Sequence, residues 1–270
     1  MDFTLKTYRQ LLDSLQNAGF SFLTFEQYLA SQLPKAKSQK PTANRQPPTA
    51  ILRHDVDLLP QNSLATAQIE HELGIKGSYY FRIVPESNQP EYIEKIRDLG
   101  HEIGYHYEDL TLCKGNMDEA IKSFEKNLAY FRQFYPVQTI CMHGSPRSPW
   151  DSKDLWKHYH YRDFGITGEP YFDVDFNQVF YLTDTGRRWD GWKVSVRDKV
   201  PQQEEWVKQG LVFKSTGDII QAAQETNLPN KIMITVHPQR WTDKPLPWLK
   251  EWALQKVKNV AKYLIVSRKL

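Results

Sequence analysis

The sequence predicts an α/β protein: a distorted parallel (β/α) barrel of seven or eight strands, with a short helical segment at its N-terminus. Three observations predict this fold class. Short apolar runs alternate with amphipathic helices, which is typical of parallel strands buried under helices. A chain of 270 residues fits one α/β barrel domain. Polar residues suited to chemistry follow the strands, as they do at the active end of such barrels.

Residues 1–33 are predicted to form a helical N-terminal extension. Two short helices flank Gly19, and Thr24 is placed to cap the second of them. Residues 34–48 are rich in Pro, Gln and Lys, which indicates a linker or a surface loop. Residues 49–270 are assigned to the barrel domain.

The first half of the barrel domain alternates strands and helices in a regular order. Short apolar runs mark the strands, and apolar residues at 3.6-residue spacing mark the helices. The predicted strands are 50–52, 78–84, 102–105 and 137–142. The predicted helices are 62–73, Pro90 up to Gly100, and 117–135.

The second half of the domain gives weaker strand signals. Strands are predicted near 165–166 and at 178–183, 211–213 and 232–236. An amphipathic helix is predicted over 248–264, and its lysines suit a solvent-facing side.

Composition and charge narrow the classes of function. The net charge is +3 and no cluster of Lys or Arg resembles a DNA-binding stripe, so no nucleic-acid partner is expected. No leader-like segment opens the chain, and no apolar run approaches the ~20 residues that span a bilayer. These features predict a soluble, cytoplasmic protein without a transmembrane segment. Cys113 and Cys141 are then expected to be reduced thiols.

Asp55 and Asp57 follow the first strand of the barrel domain, in Arg53-His54-Asp55-Val56-Asp57. Alternate residues of an extended segment point the same way, so both carboxylates face one site. Two such carboxylates repel each other unless a cation or a shared proton lies between them. The spacing therefore suits a metal ligand beside a general base, and equally a capping turn or an ion pair to Arg53.

Three histidines stand where strands end: His106, His143 and His237. A histidine in this place binds a metal, moves a proton, or only makes a structural hydrogen bond. His101 is an odd number of residues from His106, so it is expected to point to the other side of the strand. Glu108 follows in a loop, as a ligand, a partner of a ligand or a solvated charge.

The strand predicted at 178–183 is followed by a segment dense in charged and aromatic residues, Asp184, Arg187, Arg188 and Trp189. Arginine can grip a phosphate or carboxylate with two parallel hydrogen bonds, and tryptophan can stack on a sugar. The segment is predicted to contact substrate, and a solvated loop is the alternative.

These motifs resemble, in the same order, those of the polysaccharide deacetylase family, the NodB-homology domain of carbohydrate esterase family 4. The resemblance covers residues 50–240 and is strongest over His54–Asp57 and Gly100–His106. It implies a distorted parallel α/β barrel and a divalent metal, zinc above all, with Co²⁺, Ni²⁺ or Mn²⁺ as alternatives. The chain is similar to members associated with surface-polysaccharide or O-antigen biosynthesis.

The resemblance also implies residue roles. Asp55 would be the general base, Asp57 and His106 metal ligands, and His237 the acid that protonates the leaving amine. The fourth motif of the family is matched by Asp184 with Trp189 or Asp190.

The sequence departs from the family pattern at two places. The second histidine of the family falls on Leu110, which cannot bind a metal, so Glu108, His143 or a water would replace it. The third motif lacks the arginine that orients the base, which would then come from Arg53.

The predicted function is a metal-dependent hydrolase that removes an N-acetyl group from a nucleotide- or lipid-linked amino sugar in polysaccharide or O-antigen precursor metabolism. One alternative is a metal-free hydrolase of another C–N bond on the same fold. A second is a catalytically degenerate sugar-binding protein. Phosphate-ester hydrolysis, suggested by Arg187 and Arg188, is a weaker third. No oligomeric state is predicted.

Overall fold

The computed structural model describes residues 1–33, 47–145, 148–190 and 200–267, so most of the predicted linker 34–48 lies outside it. The strands in this part of the chain are β1 Ser21–Leu23, β2 Thr49–Val56, β3 Ser78–Phe81, β4 Glu102–Tyr107, β5 Ile140–Met142, β6 Phe180–Thr183 and β7 Lys231–Val236. The α-helices are α1 Leu5–Asn17, α2 Phe25–Gln32, α3 Pro60–Glu72, α4 Pro90–Asp98, α5 Asp109–Leu112, α6 Met117–Phe131, α7 Pro170–Asp173, α8 Gln203–Lys208, α9 Thr216–Gln224 and α10 Pro245–Ser267. Short 3-10 helices span Ser152–Lys157, Tyr161–Phe164 and Pro238–Arg240.

The strands form one parallel sheet in the order β5-β4-β3-β2-β7-β6, and β1 pairs with the first residues of β2. The sheet curls into a half-barrel covered by helices, and β5 and β6 do not pair within the described ranges. The predicted α/β fold is confirmed in this half-barrel form. Because all strands run the same way, their carboxyl ends meet along one edge.

The N-terminal segment is built into the sheet. Strand β1, Ser21–Leu23, was not predicted from the sequence. It pairs in parallel with Thr49–Ile51. Helix α1 packs against α9 and α3 and buries one apolar face, Tyr8, Leu11, Leu12 and Leu15. Helix α2 begins at the predicted cap, Thr24, which forms a reciprocal capping box with Gln27. The residues assigned to an extension thus support the strand that carries Asp55.

Two of the weaker strand predictions are wrong. Residues 165–166 follow a 3-10 helix, with Gly165 in a turn, and residues 211–213 follow the turn after α8 without regular structure. Gly210, just before the second segment, has φ +78. Neither segment pairs as a strand of the sheet. Their apolar members Ile166 and Phe213 are instead buried as core side chains.

The run Gly100-His101-Glu102-Ile103-Gly104 has a packing reason. Gly100 ends α4 in the left-handed region, with φ +90. A Cβ atom on Gly104 would lie 2.3 Å from the ring of Tyr80 on the neighbouring strand. His101 points away from His106, as its odd spacing predicts, and accepts the Gly77 N–H at 3.1 Å.

A sealed polar cluster lies on the side of β2 that faces α1 and α3. We call it the Glu70 cluster, and it comprises Tyr8, His54, Glu70, Tyr79 and His101, all buried. Glu70 Oε1 accepts hydrogen bonds from Tyr8 at 2.6 Å and from Tyr79 at 2.7 Å, and it lies 2.9 Å from His54 Nε2. Burial opposes the ionisation of Glu70, but the His54 imidazole outweighs it and lowers the pKa of this carboxyl.

In the described part of the chain, none of the helices combines the length and the apolar character needed to cross a bilayer.

Candidate active site

Asp55 is held by the arginine two residues before it. Arg53 Nε donates to Asp55 Oδ1 at 2.9 Å and Arg53 Nη2 donates to Asp55 Oδ2 at 2.7 Å, a bidentate pair. Burial opposes the ionisation of Asp55, but the guanidinium and the imidazoles of His106 and His237 outweigh it. The pKa of Asp55 therefore lies below its ordinary value, and the carboxylate stays ionised at neutral pH.

Asp57 presents one carboxylate oxygen that has no hydrogen bond. Its Oδ2 accepts from Gln239 Nε2 at 3.0 Å. Its Oδ1 is buried and without a hydrogen-bond partner among the residues described. This atom lies 3.5 Å from His106 Nε2 and 3.5 Å from His143 Nε2. We call this group the Asp57 cluster: Asp57, His106 and His143.

Both imidazoles of the Asp57 cluster are oriented through their other ring nitrogen. His106 Nδ1 donates to the Cys141 carbonyl oxygen at 2.9 Å, since a carbonyl only accepts. His143 Nδ1 lies 2.8 Å from Glu108 Oε2, and Arg82 Nε in turn donates to Glu108 Oε1 at 2.7 Å. A ligating histidine is oriented in this way by a carbonyl or a carboxylate.

Asp57 Oδ1 therefore has an imidazole nitrogen on each of two sides, His106 Nε2 and His143 Nε2, each 3.5 Å away, although the three atoms do not all lie within 4.8 Å of one another. Such an arrangement needs positive charge, either protons on the imidazoles or a cation between the three atoms. With the protons in place, burial opposes the ionisation of Asp57, but the neighbouring imidazoles of His106 and His143 hold its pKa well below the ordinary value. Two nitrogens and one oxygen form a donor set that suits zinc.

A second group of possible ligands overlaps the first at His106. The ligand atoms of Asp55, His106 and Cys141 lie within 4.8 Å of one another. Both oxygens of Asp55 already accept from Arg53, however, and the charge of Asp55 is thereby matched. The orphaned oxygen belongs to Asp57, so the Asp57 cluster has the stronger need for a cation.

His237 forms a dyad with Asp184. His237 Nδ1 donates to Asp184 Oδ1 at 2.6 Å, which leaves Nε2 directed elsewhere. Trp241 Nε1 donates to Asp184 Oδ2 at 2.8 Å, and Arg240 Nη1 donates to Oδ1 at 2.7 Å. Burial opposes the ionisation of Asp184, but Arg240 and His237 outweigh it and lower its pKa. His237 also lowers the pKa of Asp55 and Asp57, so its imidazole acts on both carboxylates.

Two residues that were expected to contact substrate, Asp184 and Trp189, are buried among protein groups, and the expectation for a third, Arg188, stays a prediction. Asp184 is completely buried and binds protein groups. Trp189 is 3% exposed, packs against Trp241, and donates to Thr216 Oγ1 at 2.9 Å, so its ring is unavailable to a sugar. Arg188 is ion-paired with Asp190 and lines a cleft beside α10. Density of charge and aromatic residues in a sequence does not separate an anchor in the core from a surface that meets a ligand.

Four residues of the site were missed by sequence analysis: Arg82, Gln239, Arg240 and Trp241. Three of them follow His237 directly, in Pro238-Gln239-Arg240-Trp241, and a polar and aromatic run after a strand-end histidine is the signal that could have found them. Arg82 lies inside the strand predicted over 78–84 and directly follows the observed strand β3, where it resembles any charged residue at a strand end. Its contact with Glu108 is 26 residues away in the chain, which no local pattern encodes.

Comparisons with known proteins give two likenesses among solved structures. A mutant of BA3943, described as a CE4 family pseudoenzyme with restored enzymatic activity, has 13% sequence identity and a TM-score of 0.41 over 77% of this chain. The chain spans 62% of the length of that protein. PdaA of Bacillus subtilis, described as a family 4 carbohydrate esterase, has 13% identity and a TM-score of 0.36, with 92% of this chain and 84% of that one covered. No family model and no curated protein matches the chain.

Proposed function

We propose that this protein is a metal-dependent hydrolase that removes an N-acyl group, acetyl above all, from an amino sugar. The observation that carries the proposal is the Asp57 cluster, in which an orphaned carboxylate oxygen lies 3.5 Å from two oriented imidazole nitrogens. Asp55, which is ion-paired with Arg53, and His237, which is bound to the Asp184 carboxylate, act at the same site. Together they provide the groups that hydrolysis of an amide requires.

Asp57 Oδ1, His106 Nε2 and His143 Nε2 would hold the cation. A divalent cation there supplies Lewis acidity and makes a water molecule nucleophilic near neutral pH. His143 takes the place of the ligand that the family has where Leu110 stands here. Leu110 is 1% exposed and packs in the apolar core. Zinc suits the two nitrogens and one oxygen best, and Co²⁺, Ni²⁺ and Mn²⁺ are alternatives.

The protein's own side chains divide the proton transfers between them. Asp55, kept ionised by Arg53, accepts a proton from the attacking water as a new carbon–oxygen bond forms. The carbon–nitrogen bond then breaks, and His237 Nε2 gives a proton to the departing nitrogen. Asp184 stabilises the imidazolium form of His237 through the 2.6 Å contact at Nδ1. The products are a carboxylic acid and a free amine.

The substrate class rests on the resemblance of His54–Asp57 and Gly100–His106 to carbohydrate esterase family 4. A nucleotide- or lipid-linked N-acetyl amino sugar, in polysaccharide or O-antigen precursor metabolism within the cytoplasm, is the substrate that we propose. A metal-free C–N hydrolase would need no carboxylate oxygen between two imidazole nitrogens, and a degenerate sugar-binding protein would need no carboxylate-bound His237. The Asp57 cluster and the His237–Asp184 dyad therefore favour the metal-dependent reaction over both alternatives.

The test is acetate release from a panel of nucleotide-linked, lipid-linked and free N-acetyl amino sugars. The full chain is stripped with a chelator and assayed before and after Zn²⁺, Co²⁺, Ni²⁺ or Mn²⁺ is added. Asp55→Asn serves as the matched variant, because it keeps the shape of the side chain and removes the base. We expect activity only with metal, and a loss of about 10²–10⁴-fold in Asp55→Asn.

Activity that survives strong chelation would contradict the metal-dependent reaction and favour the metal-free hydrolase. Sugar binding without turnover at any metal supply would favour the degenerate binding protein.

A further inference from the structure

Helix α10 packs on the protein with its polar side. The residues toward the protein are Trp248, Glu251, Gln255 and Asn259, spaced by three or four residues. Trp248 Nε1 donates to the Asp2 carbonyl oxygen at 2.7 Å, and Asn259 Nδ2 donates to the Gly186 carbonyl oxygen at 2.9 Å. The helix is therefore anchored by hydrogen bonds rather than by an apolar face.

The opposite side of α10 carries an apolar stripe that faces away from the described parts of the chain. The stripe comprises Leu246, Leu249, Ala253, Val257 and Val260. Leu246 is 80% exposed, Val257 70% and Val260 64%. A helix of a globular protein normally places its apolar face toward the core. The reversed arrangement indicates that the stripe meets another apolar phase.

The surroundings of the stripe are basic. Lys250, Lys256 and Lys258 lie on the same helix against one acid, Glu251, and the sequence continues with Lys262, Arg268 and Lys269. A cleft of about 310 Å³ runs beside the helix, and its lining includes the four cations Arg187, Arg188, Lys214 and Lys256 with the single acid Asp190. Lys256 lines the cleft and is followed at once by Val257 of the stripe.

Charge separates an anionic surface from a second copy of the helix. Leu246 and Val257 are eleven residues apart, as are Leu249 and Val260, so the stripe runs nearly straight along the helix. Leu246, Ala253 and Val260 are also seven residues apart, so the spacing fits a flat surface and a partner helix alike, and the lysines decide between them. A second copy of this chain would also bring a second set of lysines against the first.

We propose that α10 binds the surface of an anionic membrane, with the apolar stripe in the boundary of the acyl chains and the lysines against lipid phosphates. Apolar burial and attraction to anionic headgroups act together in such helices, and each lysine near the surface strengthens binding about fivefold. The proposal is independent of the hydrolase function, because it rests on α10 and the neighbouring cleft alone.

The test is flotation of the full chain with two kinds of vesicle, one of phosphatidylcholine alone and one of three parts phosphatidylcholine to one part phosphatidylglycerol. We expect binding to the anionic vesicles only, and release at about 1 M salt, where charges are screened within ~3 Å. The stripe variant Leu249→Glu/Val257→Glu should bind at least about tenfold more weakly. The matched control Leu112→Glu/Phe172→Glu changes exposed apolar residues elsewhere and should bind like the wild type.

Thermal unfolding by circular dichroism checks that each variant folds. If the stripe variant does not fold, Lys250→Gln/Lys256→Gln tests the same surface, with an expected loss of about 25-fold at two lysines. Anionic-vesicle binding that the stripe variant retains would overturn the proposal. A wild type that binds neither kind of vesicle would also overturn the proposal. The stripe would then be covered either by a second copy of the chain, in a dimer that the stripe variant dissociates, or by another part of the same chain, in a monomer. Sedimentation analysis distinguishes these last two outcomes.

Discussion

Strand β2 carries a histidine–carboxylate cluster on each of its two sides, and the two clusters differ in what completes them. In the Glu70 cluster, two tyrosine hydroxyls donate to the carboxylate and every side chain is buried. In the Asp57 cluster no hydroxyl donates, and Asp57 Oδ1 lacks a hydrogen bond among the described residues. The Asp57 and His143 side chains remain 19% and 15% exposed.

Residue type alone therefore does not mark a functional site. His54 and Asp55 are adjacent in the sequence, yet alternation along β2 sends one to the sealed cluster and the other to the strand-end site. The sealed cluster is a structural device: Glu70 Oε2 is also without a hydrogen bond, but two tyrosine hydroxyls donate to Oε1 and every side chain of the cluster is buried. The strand-end cluster has no such hydroxyl donor among the described residues and reaches solvent, which is the condition for binding a cation from outside.

The largest effect is expected when the orphaned oxygen of Asp57 is removed. Asp57→Asn should lower the rate of deacylation by roughly 10³-fold or more, since it removes a ligand for the cation. Its free energy of unfolding should fall by no more than about 1.5 kcal/mol, because Asp57 is partly exposed and accepts one side-chain hydrogen bond, from Gln239. Acetate release and a urea unfolding curve measure the two effects. A large loss of stability would mean that Asp57 is structural.

The reciprocal change is made in the sealed cluster. Glu70→Ala should lower the free energy of unfolding by about 3 kcal/mol or more, since it leaves His54 and two tyrosine hydroxyls buried without their acceptor. The contribution of Glu70 is present at neutral pH and is lost as pH falls through its lowered pKa. Urea unfolding at pH 7 measures it. A variant as stable as the wild type would contradict the structural role.

The role of His143 as a ligand is tested through Glu108, which orients its imidazole. Glu108→Gln should weaken metal affinity by about 10–100-fold with the ligands unchanged, because partners of ligating histidines have effects of this size. Competition with a coloured chelator measures the affinity. Glu119→Gln, at an exposed position in the first turn of α6, is the matched control. Equal affinity in the two variants would show that His143 does not bind the metal.

The last prediction concerns a single proton on Glu169, which is completely buried. Burial raises the pKa of Glu169 to about 7, although the Met142 and Tyr171 N–H groups oppose this rise. Between its ordinary range and about pH 7, the folded protein holds a proton that the unfolded chain has lost, so stability falls as pH rises. Relative to Glu169→Gln, the wild type should lose about 2.5 kcal/mol between pH 5 and pH 8, measured by urea unfolding at each pH. Parallel pH dependences in the two proteins would contradict this.

The sequence predicted the framework of the site because its signals are local. Asp55, Asp57, His106, His143 and His237 each stand at or just after a short apolar run, and parallel strands bring such positions to one edge. Alternation also separated His101 from His106. None of these arguments needed a contact between distant parts of the chain.

The rest depends on contacts between distant segments. Tyr8 reaches Glu70 across 62 residues, and Gln239 reaches Asp57 across 182. The choice of His143 over Glu108 as third ligand needs the geometry, since both follow strands and only one faces Asp57. Trp189 was predicted to contact substrate, but an aromatic residue in a charged segment packs equally well inward. Strand β1 was not predicted because three residues carry too little pattern.

The central claim, that the Asp57 cluster binds the cation, is tested most directly by titrating Zn²⁺ into chelator-stripped wild type, His143→Ala and Cys141→Ala in a calorimeter. The two variants separate the overlapping ligand groups, which share His106. We expect one zinc site in the wild type, the same zinc affinity in Cys141→Ala, and an affinity at least about 100-fold weaker in His143→Ala. Zinc binding that survives in His143→Ala and is lost in Cys141→Ala would contradict it.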